Sequence, residues 1–187
     1  MRVIAGKAKR LQLKTIPGME TRPTTDRIKE TLFNMLMSDI YDVSFLDLFA
    51  GSGGIGIEAL SRGARHAVFV DSNKKAADII KDNLSTTHFS GQAEIYNMPV
   101  LKAVRRLYES NTIFDVVFMD PPYNKGMETE VLRCPEFYNI LADDALIIIE
   151  ASLTTEIDLS EIPGYTIIKE KLYKTNKHIF INKIDKN

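Results

Sequence analysis

Cysteine and histidine are scarce in this sequence, and this scarcity limits the kinds of site it can form. The 187 residues include one cysteine, Cys134, and three histidines, at positions 66, 88 and 178. One cysteine permits no disulfide within the chain and no zinc site built from cysteines, and the histidines lack the spacing of metal ligands. We therefore expect no metal site.

Long hydrophobic runs are also missing. The longest aliphatic run covers residues 145–149, which is far too short to cross a bilayer, and residues 1–10 contain no apolar stretch like that of a signal peptide. Hydrophobic residues make up 44% and charged residues 26% of the chain, as in ordinary globular domains. We expect a cytoplasmic protein with one main domain and, by default, a monomer.

The net charge of −1 conceals an uneven distribution of charge along the chain. Residues 1–37 carry eight lysines and arginines against three acids, so this part has a net charge of +5 and the other 150 residues carry −6. A second basic stretch, residues 169–186, has six lysines against two acids. Basic ends of this kind favour a polyanionic partner such as a nucleic acid, although a solvated basic surface gives the same pattern.

Short apolar runs alternate with amphipathic stretches from residue 44 onward. The predicted strands are residues 45–49, 67–71, 93–96, 114–120 and 145–150. The predicted helices, in which apolar residues recur every three or four positions, are residues 54–63, 73–86, 99–110 and 127–142. This alternation is typical of an α/β fold with a parallel sheet covered by helices on both faces.

The C-terminal part departs from this alternation. Residues 165–172 and 178–184 are two β-like runs joined by a short connection without a helix. They predict an antiparallel hairpin at the edge of the sheet.

The N-terminal part also differs. Residues 2–16 alternate around a basic turn and predict a small β-hairpin, after which Thr24 or Thr25 can cap a helix. We divide the chain into a basic hairpin extension, residues 1–20, and a main domain, residues 21–187.

A glycine-rich segment follows the first predicted strand of the sheet and begins the next helix. Gly51, Gly53 and Gly56 match the pattern G-x-G-x-x-G, and Asp71, twenty residues after Gly51, ends the following strand, where an acid can bind ribose hydroxyls. Glycines let the backbone approach a ligand closely, so the segment predicts a cofactor site. The loop alone does not distinguish a nicotinamide dinucleotide from S-adenosylmethionine, and a tight turn without a ligand is the third possibility.

Asp47, four residues before Gly51, favours one of these cofactors. A carboxylate would repel the pyrophosphate of a dinucleotide, whereas S-adenosylmethionine carries a cationic amino group and a sulfonium. The sequence therefore indicates S-adenosylmethionine. For Asp71, a helix N-cap is the alternative role.

A second motif, Asp120-Pro121-Pro122-Tyr123, ends an apolar run. Consecutive prolines fix φ and remove two N–H donors, which leaves a rigid Pro121 carbonyl at the end of a central strand, where ligands bind in open α/β sheets. The Asp120 carboxylate and the Pro121 carbonyl can each accept one N–H of an exocyclic base amine, while the Tyr123 ring stacks on the base. These four residues are the predicted catalytic corner of an amino-methyltransferase, and a proline-rich turn is the alternative.

The motifs resemble those of class I methyltransferases: DLFAGSGGIGIEALSRGA at 47–64, FVD at 69–71 and DPPY at 120–123. With RVIAGKAKRLQL at 2–13 and RPTTDRIKETLFNML at 22–36, they are similar to the bacterial RsmD family of 16S rRNA guanine-N2 methyltransferases. The resemblance implies a Rossmann-like fold with a seven-stranded, mostly parallel sheet. It also implies methylation of one guanine N2 in the 16S rRNA of an assembled or partly assembled small ribosomal subunit.

The same resemblance implies roles for individual residues, from the methionine end of the cofactor and its ribose to the target base. The predicted cofactor-binding residues are Asp47, Phe49, Ala50, Gly51, Ser52, Gly53, Asp71, Ser72, Asn97, Met98, Arg22, Thr24 and Thr25. The predicted RNA-binding residues are Arg2, Lys7, Lys9, Arg10 and Arg27. One departure from the family pattern is Pro99, which stands where similar sequences often carry an acid after the third strand. We expect the Asn97 side chain or the Met98 backbone to contact the adenine ring instead.

Four other functions share parts of this pattern. A DNA amino-methyltransferase uses the same corner but usually needs an added segment to recognise a duplex, for which this chain has little room. Glutamine N5-methyltransferases of release factors have a similar corner, typically with Asn in place of Asp120. A cofactor-binding regulatory protein would keep the glycine loop without a complete corner, and an NAD oxidoreductase would need a proton relay that we do not find in the sequence.

Overall fold

The structure is a computed structural model that describes residues 1–16, 26–36 and 40–185. Its strands are β1 (Ser44–Leu48), β2 (His66–Val70), β3 (Ala93–Tyr96), β4 (Phe114–Met119), β5 (Leu141–Ser152), β6 (Tyr165–Leu172) and β7 (Asn176–Lys183). They form a seven-stranded sheet in the order β3-β2-β1-β4-β5-β7-β6. β1 and β3 are parallel to β2, and β4 is parallel to β5, whereas β7 is antiparallel to β5 and β6. The predicted α/β fold with an antiparallel C-terminal hairpin is confirmed.

The chain divides into two compact units, Met1–Pro99 and Val100–Asn187. The first unit contains α1 (Asp26–Met35), α2 (Gly54–Arg62), α3 (Lys74–Thr87) and a 3-10 turn, Ser90–Gln92. Caps define the limits of these helices: the Asn73 side chain accepts the Lys75 N–H at the start of α3, and Gly63, with φ 112°, ends α2. The predicted Thr24 or Thr25 cap of α1 lies outside the described residues.

The predicted N-terminal hairpin is present in the first unit. The Leu13 N–H donates to the Met1 carbonyl at 2.9 Å, and Arg2 and Gln12 form an antiparallel bridge. The turn lies against α2, because the Lys7 N–H donates to the Ser61 carbonyl at 2.8 Å. At Gly6 a Cβ atom would lie 1.8 Å from that carbonyl oxygen, so only glycine permits this approach.

The buried Glu58 on α2 joins the hairpin to the unit. Its carboxylate accepts the Ile4 and Ala5 N–H groups at 2.8 and 3.0 Å. It also forms ion pairs with Lys29 at 3.2 Å and with Arg62 at 2.8 Å. Lys29 is 0% exposed, and this burial lowers its pKa from the usual value of 10.5. A buried charge is costly unless it is paired and hydrogen-bonded. Separating these segments would leave Glu58 or Lys29 without its partners, so the contacts hold the hairpin, α1 and α2 together.

The second unit contains α4 (Val100–Glu109), α5 (Met127–Arg133) and α6 (Pro135–Asn139). The predicted single helix over residues 127–142 is wrong: two short helices occur, and β5 begins at Leu141. Pro135 explains the break, since it supplies no N–H and forces the preceding Cys134 into an extended conformation, with ψ 118°. Among the described residues, no helix has both the length and the apolar composition needed to cross a membrane.

Candidate active site

The glycine loop after β1 is a tight turn held at both ends. The Ala50 N–H donates to the Val70 carbonyl at 3.0 Å, and the Gly53 N–H donates to the Ala50 carbonyl at 2.7 Å. Phe49, Gly51 and Gly53 have φ values of 62°, 56° and 77°. A left-handed conformation at a phenylalanine is strained, and such strain is concentrated at functional sites.

The first and third glycines of the G-x-G-x-x-G pattern have different surroundings. A Cβ atom at Gly51 would meet nothing within 4 Å, whereas one at Gly56 would lie 2.4 Å from the Phe69 ring. Gly51 therefore faces open space in which a ligand can approach the backbone, and Gly56 is required for close packing of α2 on β2. The packing role of Gly56 matches that of the third glycine in nucleotide-binding loops.

Asp47 lies beneath the loop at the end of β1. Its side chain is 2% exposed, and one oxygen accepts the Gly56 N–H at 2.9 Å. Burial raises the pKa of this carboxyl to about 7, and the nearby Asp71 adds to the increase. A cation placed beside Asp47 would favour its charged form, so this residue fits the cationic groups of S-adenosylmethionine.

Asp71 organises the same loop. One carboxylate oxygen accepts the Gly51 N–H at 2.9 Å and the other accepts the Asn73 N–H at 2.8 Å. The side chain that caps α3 is Asn73, so the alternative role of Asp71 as the helix cap is wrong. Carboxylate oxygens have two lone pairs each, which leaves acceptor capacity for ribose hydroxyls.

The segment after β3 contains the predicted adenine contacts. The Asn97 amide donates to the Asp71 carbonyl at 2.9 Å, and the Met98 N–H donates to the Tyr96 carbonyl at 3.1 Å. Asn97 thus links this segment to the loop that carries Asp71. That the Asn97 side chain or the Met98 backbone contacts the adenine ring, in place of the acid that Pro99 replaces, stays a prediction.

The predicted catalytic corner follows β4 directly, in the second unit. Asp120 is half-buried, Pro121 is buried, Pro122 is exposed and Tyr123 is half-buried. The Tyr123 hydroxyl donates to Glu150 Oε1 at 3.2 Å. The ring of Tyr123 is therefore tied to the carboxyl-terminal part of β5.

Three polar residues near this corner were missed by sequence reasoning. Glu150, Asn176 and His178 are 3%, 3% and 0% exposed, and the Asn176 amide donates to Glu150 Oε1 at 2.6 Å. His178 Nε2 lies 3.2 Å from Glu150 Oε2. In the sequence, Glu150 is only an acid that follows the aliphatic run 145–149, and His178 is only a histidine in a β-like run. Neither belongs to a motif that would indicate a functional role.

The predicted RNA-binding residues of the hairpin are accessible. Lys7, Lys9 and Arg10 are exposed on the turn, and Arg27 is exposed on α1. Arg2 forms an exposed ion pair with Asp26 at 3.0 Å. Their role in RNA binding stays a prediction.

The other predicted cofactor residues are placed as follows. Ser72 is exposed, and the Ser52 carbonyl accepts the Asn83 amide at 2.9 Å. Arg22, Thr24 and Thr25 lie outside the described residues. No group of three or more histidine, cysteine or acidic residues that could hold a metal occurs in the described part of the chain.

The sequence is similar to known proteins along nearly its whole length. A family model described as "Conserved hypothetical protein 95" matches residues 1–182. The protein named "Ribosomal RNA small subunit methyltransferase D" is 38% identical to this chain over 172 residues in Haemophilus influenzae and 37% identical over 175 residues in Escherichia coli. These alignments cover 91% and 92% of this chain and 88% and 84% of the relatives.

Solved structures show the same fold. The Escherichia coli protein named "Putative methyltransferase yhhF" matches with a TM-score of 0.85 and 32% identity, over 98% of each chain. The Haemophilus influenzae protein named "putative methylase HI0767" matches with a TM-score of 0.73 and 31% identity, also over 98% of each chain. With the family model matching almost the entire sequence, the chain belongs to the RsmD family of methyltransferases.

Proposed function

We propose that this protein transfers a methyl group from S-adenosylmethionine to the exocyclic N2 of one guanine in the RNA of the small ribosomal subunit. The observation that carries this proposal is the intact Asp-Pro-Pro-Tyr corner at the end of β4 in a member of the RsmD family. The relatives named as small-subunit methyltransferases support ribosomal RNA as the substrate class.

The glycine loop supports the choice of cofactor. The open space at Gly51 and the buried carboxyl of Asp47 suit a ligand with a cationic end, and Asp71 has acceptor capacity for ribose hydroxyls. S-adenosylmethionine, when bound, supplies a methyl group on a positively charged sulfur, which keeps the bonding electrons when the methyl group is transferred. Asp47, Gly51 and Gly53 hold its methionine end, and Asp71 holds its ribose.

The chemistry at the corner consists mainly of positioning and charge stabilisation. The Asp120 carboxylate and the Pro121 carbonyl each accept one N–H of the guanine amine, which directs the nitrogen lone pair toward the methyl group. As the N–C bond forms, positive charge develops on the nitrogen, and the Asp120 carboxylate stabilises it. The alkylated amine is acidic enough to lose its proton late, so the corner needs no strong base.

The exposed basic hairpin supports binding of the RNA backbone. Lys7, Lys9 and Arg10 contribute three positive charges on one turn, and neutralisation of phosphates is the usual source of affinity for nucleic acids. The enzyme acts in the cytoplasm as a monomer, on an assembled or partly assembled small subunit.

Transfer of a tritiated methyl group to small ribosomal subunits that lack their own methylation tests the proposal. We expect the label in N2-methylguanosine after nucleoside analysis of the rRNA. Label in methyladenosine, in DNA or in protein would overturn the substrate, and the last result would favour the glutamine methyltransferase alternative.

Replacing the carboxylate of the corner tests the assigned mechanism. We expect Asp120→Ala to lower the rate of methyl transfer by about 100- to 1,000-fold, because it removes the acceptor that stabilises the developing charge. Affinity for S-adenosylmethionine, measured by calorimetry, should stay within about twofold, since the glycine loop holds the cofactor. Retained turnover would disprove the mechanism.

A further inference from the structure

Tyr123 is bound to a buried polar cluster whose other members are not among the predicted site residues. Glu150 accepts the Tyr123 hydroxyl at 3.2 Å and the Asn176 amide at 2.6 Å through Oε1, and His178 Nε2 lies 3.2 Å from Oε2. All three of Glu150, Asn176 and His178 are at most 3% exposed. Of the four side chains, Tyr123 alone is half-buried rather than buried, so the cluster reaches the surface at the catalytic corner.

The pairing of β5 with β7 creates this cluster. Glu150 stands directly opposite His178 in the antiparallel register, and Asn176 lies two positions before His178 in β7, which places its side chain on the same face. The surrounding positions are apolar: Ile148 and Ile149 are fully buried, and the Phe118 ring meets the His178 ring edge-on at 5.9 Å. A carboxylate in such surroundings costs stability unless hydrogen-bond donors satisfy its oxygens, which explains the polar side chains gathered around Glu150.

Both ring nitrogens of His178 have a polar partner in the cluster. A carboxylate only accepts, so His178 donates to it from Nε2, while the other ring nitrogen, Nδ1, lies 3.2 Å from the Tyr173 hydroxyl. Burial raises the pKa of Tyr173 to about 12, which keeps that hydroxyl protonated. Asn176 and His178 thus hold Glu150 through both of its oxygens, independently of the Tyr123 hydroxyl.

We propose that Glu150, fixed by Asn176 and His178, is a positioning residue that sets the orientation of the Tyr123 ring for the target base. This inference rests on the proposed function, because it assumes that the base stacks on that ring. A ring held through its hydroxyl presents one stable face, and the stacked base then meets Asp120 and Pro121 in a single orientation. Small errors in such alignment reduce reaction rates strongly.

Ring-labelled tyrosine gives a test that does not depend on activity. The chain has seven tyrosines, and the Tyr123 signal is identified by its loss in Tyr123→Phe. The resonance of the hydroxyl-bearing carbon of Tyr123 should move in Glu150→Ala and return toward its original position in Glu150→Gln, which keeps an acceptor oxygen. An unmoved signal in Glu150→Ala would overturn the proposal.

Kinetics provide the second measurement, which remains decisive if Glu150→Ala does not fold. Tyr123→Phe keeps the ring and removes only the hydroxyl, and we expect single-turnover methyl transfer to slow about tenfold with unchanged affinity for S-adenosylmethionine. Tyr138→Phe is the matched control, since it removes a hydroxyl that donates instead to the Ile184 carbonyl, and it should transfer methyl groups at the wild-type rate. A wild-type rate in Tyr123→Phe would overturn the proposal.

The double variant separates positioning from a purely structural role. If Glu150 acts through the hydroxyl, Tyr123→Phe should have no further effect on the rate in the Glu150→Ala background, and multiplying effects would contradict this. Failure of the proposed function has a different signature: the wild-type protein would leave rRNA unlabelled, while the tyrosine spectra would still report whether Glu150 fixes Tyr123.

Discussion

Two of the buried glutamates among the described residues, Glu58 and Glu150, have contrasting partners. Glu58 accepts two backbone N–H groups and faces two cationic side chains, Lys29 and Arg62. Glu150 is surrounded by a hydroxyl, an amide and an imidazole. The first arrangement joins three segments of the chain, and the second ends at a residue of the catalytic corner. Buried carboxylates therefore serve two purposes here, which their partners reveal.

Removing the charge of Glu58 should produce the largest change in stability. In Glu58→Gln the buried ammonium of Lys29 loses its counter-charge, which we expect to reduce the free energy of unfolding by about 3–5 kcal/mol and the melting temperature by roughly 10 °C. Methyl transfer measured well below the melting temperature should be nearly unchanged, in contrast to Tyr123→Phe. Thermal unfolding followed by circular dichroism provides the measurement.

The control for this experiment is Asp78→Asn. Asp78 forms an exposed ion pair with Lys74 at 3.0 Å, and exposed pairs contribute little to stability. Equal melting temperatures of Glu58→Gln and Asp78→Asn would show that the buried pair does not fix the hairpin.

Asp47 provides an intermediate case, a buried acid that we assign to the ligand. Its folded-state pKa of about 7 lies above the usual 3.8, so the contribution of this group to stability is present below pH 4 and is lost as the pH rises to 7. Asp47→Asn should therefore be more stable than the wild type at pH 8, and this advantage should be smaller by roughly 3 kcal/mol at pH 5. Melting temperatures at the two pH values test this.

The same variant should bind S-adenosylmethionine more weakly, because the amide has no charge to offer to the cationic groups of the ligand. Calorimetric titration at pH 8 measures this loss. A variant that is both more stable and equally able to bind would show that the charge of Asp47 has no part in cofactor binding.

The smallest effect per residue is expected on the exposed side of the hairpin that Glu58 holds. Replacing Lys7, Lys9 and Arg10 by alanine should weaken RNA binding and reduce the slope of log affinity against log salt by about 2, since each lost phosphate contact removes about 0.7. The melting temperature should not change, because these side chains are exposed. An unchanged salt slope would assign the hairpin a structural role alone.

Local patterns in the sequence were sufficient for the general fold and for the two motifs. The spacing of apolar residues reflects which face of each strand or helix is buried. This spacing therefore located the strands within a few residues. The glycine loop and the Asp120–Tyr123 corner are each one continuous stretch of sequence, and the residues of such a stretch stay together in any fold. The break at Pro135 was missed because the amphipathic spacing continues across it, although proline cannot continue a helix.

The register of distant strands and helices decided the rest. Glu150 and His178 are 28 residues apart and meet because β5 and β7 pair in one antiparallel register. Glu58 reaches the Ile4 N–H across 54 residues because α2 lies beneath the hairpin. Neither pair has a spacing that a sequence pattern could show, since register depends on the packing of whole elements. The sequence by itself therefore determined the fold class and the chemical motifs, whereas only the tertiary structure determined which buried charges stabilise the fold and which one orients the catalytic corner.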